Sequence, residues 1–449
     1  MPNICLFLTI LFSVVLAENY PDQHYLIEGD SLFLKAETVV GIRLSDNGRS
    51  ISLDDGINQG YIILSPDTAD FPFNRGLPSW NGSAPDEGSG FMVHMRFPSG
   101  SGWSPWLTVG FWKAYIWNNY GTTSYTGGFI DYDYVKLYSY QNRWQFKITM
   151  GRISDTLESP TITKLSFFVS DTRTTDATDY GMLLNDKPAE ILIPTDFLYQ
   201  YAIDDEIGPS ICSPTSVSMV LKSYDIAVDP LQFARDTRDP YFGIFGVWPR
   251  VVQHASEYGL DGAVTRYRSW SEARDILAAG GRVVMSVGLP LYAGHLMMLA
   301  GFTATGNPIV HDPARSNGYA YVYNKDDLAH SWFEKGGIGY TFFPADSLAS
   351  AIQPADLFAE VPNDFHLYQN YPNPFNTATR IPYTLRSPAD VEIKIFDVRG
   401  RFLQTLFRDH SGAGTHTFRW DAGSFSSGTY YIQLISGKNQ KTIKALLIK

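Results

Sequence analysis

Cys212 stands in the stretch GPSICSPTSVSMVL, residues 208–221, and is one of two cysteines in the 449-residue sequence. Pro214 is tolerated in a first helical turn, and Val217, Val220 and Leu221 continue an apolar helical stripe. The sequence therefore predicts a thiol at or just before a helix N-terminus. Unpaired N–H groups and the positive end of the helix dipole favour thiolate there, which is what makes cysteine a nucleophile at neutral pH. The carboxylates of Asp204, Asp205 and Glu206 would oppose that shift if they lay close. A single cysteine is more often a buried, inert hydrophobe, so the thiol needs partners before it means anything.

A thiolate nucleophile requires a base, and the base requires an orienting group. Of nine histidines, His254, His295, His311 and His330 fall in the same region as Cys212. His295 opens the apolar run HLMMLAGF and Asp312 closes NPIVHD. With a turn around Thr303–Asn307, these runs form an antiparallel hairpin whose outer ends meet, bringing His295 beside the His311–Asp312 pair. Those two residues alternate faces, so only one of them can point at the imidazole. Singly, His295 reads as an interior histidine and Asp312, before Pro313, as the start of an Asx-turn. Jointly, with a helix-start cysteine, they read as a Cys-His-Asp relay for acyl transfer.

The elements that must position these residues change in texture along the chain. From residue 20 to 186, FMVHMRF (91–97), WLTVGFW (106–112), DYVKLY (133–138), WQFKITM (144–150) and TKLSFFVS (163–170) read as short strands between turn clusters, predicting a β-sandwich. Trp80, Trp103, Trp106, Trp112, Trp117 and Trp144 either fill its core or form a sugar-stacking platform, making a glycan a candidate partner. From 189 to 345, helices are predicted at 213–224, 229–237, 248–258 and 269–280. Strands are predicted at 282–288, 295–302, 307–312, 318–323 and 337–343, with an inserted helix at 326–336. Helices first and an antiparallel sheet second describe an α+β domain. A linker spans 346–364, and 365–449 is β-rich again, fitting a small Ig-like sandwich.

The run Ile4–Ala17, closed by Val15-Leu16-Ala17, predicts a secretory signal cleaved after Ala17. Its removal would take Cys5 and leave no intramolecular disulfide. The formal charge of −11 and the absence of a basic patch argue against nucleic acid as a partner. The stretch 283–302 carries no Asp, Glu, Lys or Arg, but Gly288, Pro290, Gly294 and His295 interrupt it, so it reads as two buried strands and not as a membrane span. No metal-binding spacing and no nucleotide motif emerges, so no cofactor is expected.

Residues 189–345 resemble the papain-like, double-glycine (bacteriocin-processing) cysteine peptidases. The resemblance is carried by Ile193-Pro194, CSPTSVSMVL, GHLMMLAGF and Asp312-Pro313. It implies a papain-like fold with Cys212 as nucleophile, His295 as general base and acid, and Asp312 as the orienting group. Such enzymes usually carry a glutamine six positions before the cysteine to donate to the developing oxyanion. Here that position is Glu206, so Gln200, with the Cys212 backbone N–H, is the candidate oxyanion hole. RGLPSWN…GWSPWLTVGFW resembles the β-rich leader that precedes this domain in some exported proteins. YQNYPNPFNTATRIPYTL…VEIKIFDVRGR…GTYYIQL is similar to the carboxy-terminal sorting domain of the type IX (Por) secretion system, implying that machinery as a partner and a secreted or surface location. The implied activity is hydrolysis of peptide or related amide bonds. The alternatives are a cell-wall peptide amidase or transferase, and an inactive surface module that binds glycan or protein.

Overall fold

A computed structural model describes residues 22–113, 121–172, 179–345 and most of 365–448. The expected signal segment 1–17, Trp117 and the expected linker 346–364 lie outside the described residues. The chain is mostly β and divides into two compact units between Phe358 and Ala359.

In the first unit the amino-terminal strands join one 12-stranded sheet assembly. Its spine is three long strands, Asp67–Ser83, Tyr134–Arg152 and Thr161–Ser170. The segments 133–138 and 144–150, expected as two strands, are one continuous strand. Its first part pairs with Gly128–Asp131, and its later part with Ser89–Arg96. Trp80, Trp112 and Trp144 are fully buried with Phe73, Phe91 and Phe167, so these tryptophans fill the core, while Trp103 and Trp106 stay partly exposed.

The central region is built around the helix Cys212–Lys222, in which every residue from Ser213 to Leu221 is buried. Three of its four hydroxyls are satisfied inside the protein. Ser216 Oγ donates to the Leu296 carbonyl at 3.0 Å, Ser218 Oγ bonds back to the Pro214 carbonyl at 2.9 Å, and Ser213 Oγ meets the Tyr340 hydroxyl at 2.8 Å. Further helices run Pro230–Thr237, Trp248–Glu257, Trp270–Ala278 and Lys325–Phe333. Asp229, Ser269 and Asn324 cap three of them through side-chain oxygens.

The antiparallel sheet behind the cysteine helix runs in the order Ile191–Leu192, His295–Phe302, Arg282–Val287, Ile338–Pro344, Leu260–Arg266, with Pro308–His311 also paired to His295–Phe302. Two expectations differ from this. Leu260–Arg266 is a strand between the helices, so the sheet does not simply follow them. Residues 318–323 form no strand, only a single bridge from Tyr321 to Val310. The apolar stretch 283–302 is occupied by the two strands Arg282–Val287 and His295–Phe302, and no helix among the described residues is long and apolar enough to cross a membrane.

Leu260–Arg266 is an edge strand, and the amino-terminal sheet covers it with side chains. Asn81 Nδ2 donates to the Gly262 carbonyl and Asn81 Oδ1 accepts from the Gly262 N–H, both at 2.8 Å, so one amide imitates a neighbouring strand. Ser79 Oγ accepts from the Val264 N–H at 3.1 Å, and Lys164 pairs with Asp261. The helix Trp248–Glu257 is held in the same way. Glu257 accepts from the Trp112 indole at 2.8 Å and the Ala84 N–H at 3.0 Å, and Arg250 donates to the Phe111 carbonyl at 2.7 Å.

The second unit holds a three-stranded and a four-stranded sheet. Ile381, Tyr383 and Leu385 from the first and Val391, Ile393, Ile395, Ile432 and Leu434 from the second share one core with Trp420.

Candidate active site

Cys212 is the first residue of its helix, following Ile211 at the N-cap. The first N–H groups of a helix have no intrahelical acceptor, so an anion at this position meets donors already in place. The residue is partly open to solvent, while protein atoms crowd the sulfur. Burial pushes the thiol up. The hydrogen bond and charge of His295, together with the N–H groups of Leu296 and Ser213, outweigh it and hold the thiol below its ordinary range.

His295 begins its strand directly opposite Val287. Its Nε2 lies 2.8 Å from Asp312 Oδ1, which leaves Nδ1 as the ring nitrogen available to the sulfur. Burial lowers the imidazole, but Asp312 and Cys212 on its two sides more than reverse that and carry it up to about 9. The hairpin register explains the meeting. Met298 pairs with His311, and continuing that ladder sets Asp312 opposite Met297, two residues from His295 and on the same face.

Asp312 is fully buried and has four donors. Oδ1 takes His295 and the Ala314 N–H at 2.9 Å, and Oδ2 takes Tyr292 at 2.7 Å and Tyr323 at 2.5 Å. Burial alone would raise this carboxyl; these donors and the His295 charge pull it down to about 2. His311 turns the other way. Its Nε2 bonds the Ile193 carbonyl at 2.9 Å and its Nδ1 accepts from the Ala320 N–H at 3.1 Å, a neutral imidazole that pins the Ile193-Pro194 segment.

Gln200 is buried. Its backbone N–H bonds the carbonyl of Pro313 at 2.9 Å, and its Nε2 donates to the Gly208 carbonyl at 2.8 Å, four residues before Cys212. One N–H of that amide is thereby anchored, and the second is the donor that remains. Glu206 is exposed, its N–H bonded to Asp204 Oδ1 at 2.9 Å.

Sequence reasoning did not find Tyr292, Tyr323 or Lys335. The tyrosines looked like ordinary sheet aromatics, although YAGH places one three residues before the histidine. The Tyr292 ring also lies over His295, centroids 4.3 Å apart. Lys335 Nζ donates to the Val287 carbonyl at 3.2 Å and lies within electrostatic reach of both Cys212 and Asp133. Among the described residues no group of His, Cys, Asp and Glu is placed to hold a metal.

Residues 193–340 match the Peptidase_C39 like family, and residues 369–449 match the secretion system C-terminal sorting domain. The chain carries a Peptidase_C39-like domain and a secretion sorting tail. The tail makes this a secreted or cell-surface protein, exported across the outer membrane. No curated protein matches the chain. Among solved structures, it is similar to PorZ, a surface component of the type IX secretion system of Porphyromonas gingivalis, at 15% identity over 34% of this chain and 21% of that one, with a TM-score of 0.14. Dimeric latent PorU from the same organism gives 10% identity over 95% and 34%, TM-score 0.17. The CBM51-2 and INT domains of Clostridium perfringens ZmpB give 7% identity over 94% and 83%, TM-score 0.18. The chain thus spans a fifth to a third of the two Porphyromonas proteins, and likeness this remote carries nothing about what the peptidase-like domain does.

Proposed function

We propose that this protein is a secreted cysteine hydrolase that cleaves peptide or related amide bonds through a thioester acyl-enzyme. The observation that carries the reading is the imidazole of His295, bonded to Asp312 at 2.8 Å and close enough to Cys212 that each shifts the other's charge state. The thiol held below its ordinary range and the imidazole raised to about 9 both favour a thiolate–imidazolium pair.

In this mechanism the Cys212 sulfur attacks the carbonyl carbon, forming a C–S bond while the carbonyl oxygen becomes an oxyanion. The free Gln200 amide N–H and the Cys212 backbone N–H donate to that oxygen. His295 passes its proton to the departing amine as the C–N bond breaks, leaving a thioester and a neutral imidazole. The imidazole then takes a proton from water, which attacks the thioester, and the acid leaves as the thiolate–imidazolium pair is restored. Asp312 keeps its charge throughout and holds the ring in one tautomer.

The test is alkylation of Cys212 by iodoacetamide in the folded protein, paired with His295→Ala. Fast labelling at pH 6–7 that collapses in the variant supports the relay; equally slow labelling in both rejects it. Turnover of unfolded protein set against cell-wall peptides then separates a peptidase from a cell-wall amidase or transferase.

A further inference from the structure

The turn joining Gly128–Asp131 to Tyr134–Arg152 belongs to the amino-terminal sheet, outside the family match, yet it bonds the peptidase-like region at Trp248. Asp133 is buried and its carboxylate accepts the Trp248 N–H at 2.6 Å, at the start of the helix Trp248–Glu257. Asp133 and Cys212 both act on the Lys335 ammonium and on the Tyr340 hydroxyl, which itself bonds Ser213 next to the nucleophile. The neighbouring Tyr132 sets its ring edge-on to Phe242, centroids 4.7 Å apart, and Phe242 meets Tyr241 at 4.9 Å. That aromatic loop is fixed by Asp239, whose Oδ1 accepts the N–H groups of Tyr241 and Phe242 at 2.9 and 2.8 Å. It ends at Gly246, where an added methyl would stand 3.6 Å from Ser213 Cβ.

Two further features set Tyr132 apart from ordinary domain packing. It is held at a φ of 59°, a conformation that glycine adopts freely and a tyrosine does not, so the ring is present despite a backbone cost. Phe242 supplies the packing by seating on Met92 and Phe111, while Tyr132 and Tyr241 remain 48% and 56% exposed. The charge beside the turn is spent, since Asp131 pairs with Lys136 at 2.5 Å. On a protein of net charge −11, this leaves an aromatic lip whose neighbouring charge is cationic, exposed Arg238 reaching to 3.4 Å from where a methyl on Gly243 would stand.

We propose that the tip of this hairpin forms one wall of the substrate cleft, where Tyr132, Tyr241 and Phe242 receive a bulky apolar side chain of a peptide next to the scissile bond. This rests on the hydrolase reading above. An apolar side chain gains from covering the rings, and a larger one takes more of their surface from water.

The experiment uses the full chain and three thiol probes: a dipeptidyl fluoromethyl ketone carrying phenylalanine, its alanine counterpart, and iodoacetamide. With the ketones, the Cys212 thiolate forms a C–S bond and fluoride leaves. The phenylalanine probe should react about tenfold faster than the alanine probe. In Tyr132→Gly, which suits the turn, that preference should fall toward unity while iodoacetamide, too small to span the wall, labels as before. Tyr132→Phe should keep the preference, and Tyr241→Ala, on the facing loop, should weaken it. A preference unchanged in Tyr132→Gly overturns the subsite alone. Slow iodoacetamide labelling of the unmodified protein sinks the hydrolase reading and the subsite together.

Discussion

Asp312 is the residue on which the site's geometry converges, because a fully buried carboxylate survives only where donors replace its water. Its hydroxyl partners Tyr292 and Tyr323 have no role in the bond chemistry proposed above, so they act by positioning. Removing one leaves a lone pair of a buried charge unpaired, which costs about 2 kcal/mol. Tyr323→Phe should therefore lower stability to denaturant by that amount. It should also raise the folded-state carboxyl from about 2 toward its ordinary 3.8. A depressed carboxyl contributes stability above its unfolded pKa that is lost as pH falls through the folded one, so acid unfolding of the variant should begin at higher pH. A merely structural tyrosine would lower stability equally at every pH, whereas the loss in Tyr323→Phe should shrink as pH falls toward 2 and the Asp312 carboxyl is protonated. His295 works in the opposite sense. Its raised value of about 9 contributes stability that is complete below 6.5 and lost as pH rises through 9. Hydrolysis should fall over that same alkaline limb as the imidazolium that protonates the leaving amine disappears, and a pH–rate profile of peptide turnover checks it.

At the scale of elements, the cysteine helix and the histidine strand are joined by Ser216 to the Leu296 carbonyl, next to His295, and that sheet ends in a strand that depends on Asn81. Asn81→Leu keeps the volume but abandons both the N–H and the carbonyl of Gly262 in a buried place. It should cost about 2–4 kcal/mol, read by chemical denaturation, whereas Asn47→Leu on an exposed turn should cost little. How much of this was legible in the sequence follows from where the signals are local. Helix starts at Pro230, Pro249 and Ser269 are written in single residues, and the antiparallel return from His295 to Asp312 needs only a turn and a period of two. Leu260–Arg266 was illegible because LDGAVTR is almost wholly buried and so lacks alternation, and Gly262 reads as a breaker while serving the close approach of Asn81. Residues 318–323 misled in the other direction. GYAYVY alternates like a strand, but Tyr323 is turned to Asp312 and Tyr321 makes a lone bridge. The contact between Asp133 and Trp248 could not be read at all, since no local pattern records which loop meets a helix 115 residues away.

At the scale of the whole molecule, the two compact units should respond differently to truncation. The amino-terminal sheet is tied to the peptidase-like region by buried and half-buried groups: Asn81 to Gly262, Trp112 to Glu257, Arg250 to Phe111, and Arg268 to Asp22 at 2.6 Å. A chain beginning at Ala189 would expose an edge strand with unsatisfied backbone groups and a helix whose Arg250 and Glu257 have lost their partners. Each such loss costs on the order of 1–3 kcal/mol, and together they exceed what a domain of this size has in hand. That fragment should be insoluble or unfolded by circular dichroism, with a thiol that reacts at the rate of a free cysteine across neutral pH. A chain ending at Phe358 removes only the second unit, whose core of Ile381, Tyr383, Val391, Ile393, Ile432 and Trp420 is its own. It should keep the melting temperature of the first unit and the fast, His295-dependent labelling of Cys212. If the fragment from Ala189 folds and labels as fast as the intact protein, the amino-terminal sheet is an attachment and not part of the enzyme's body.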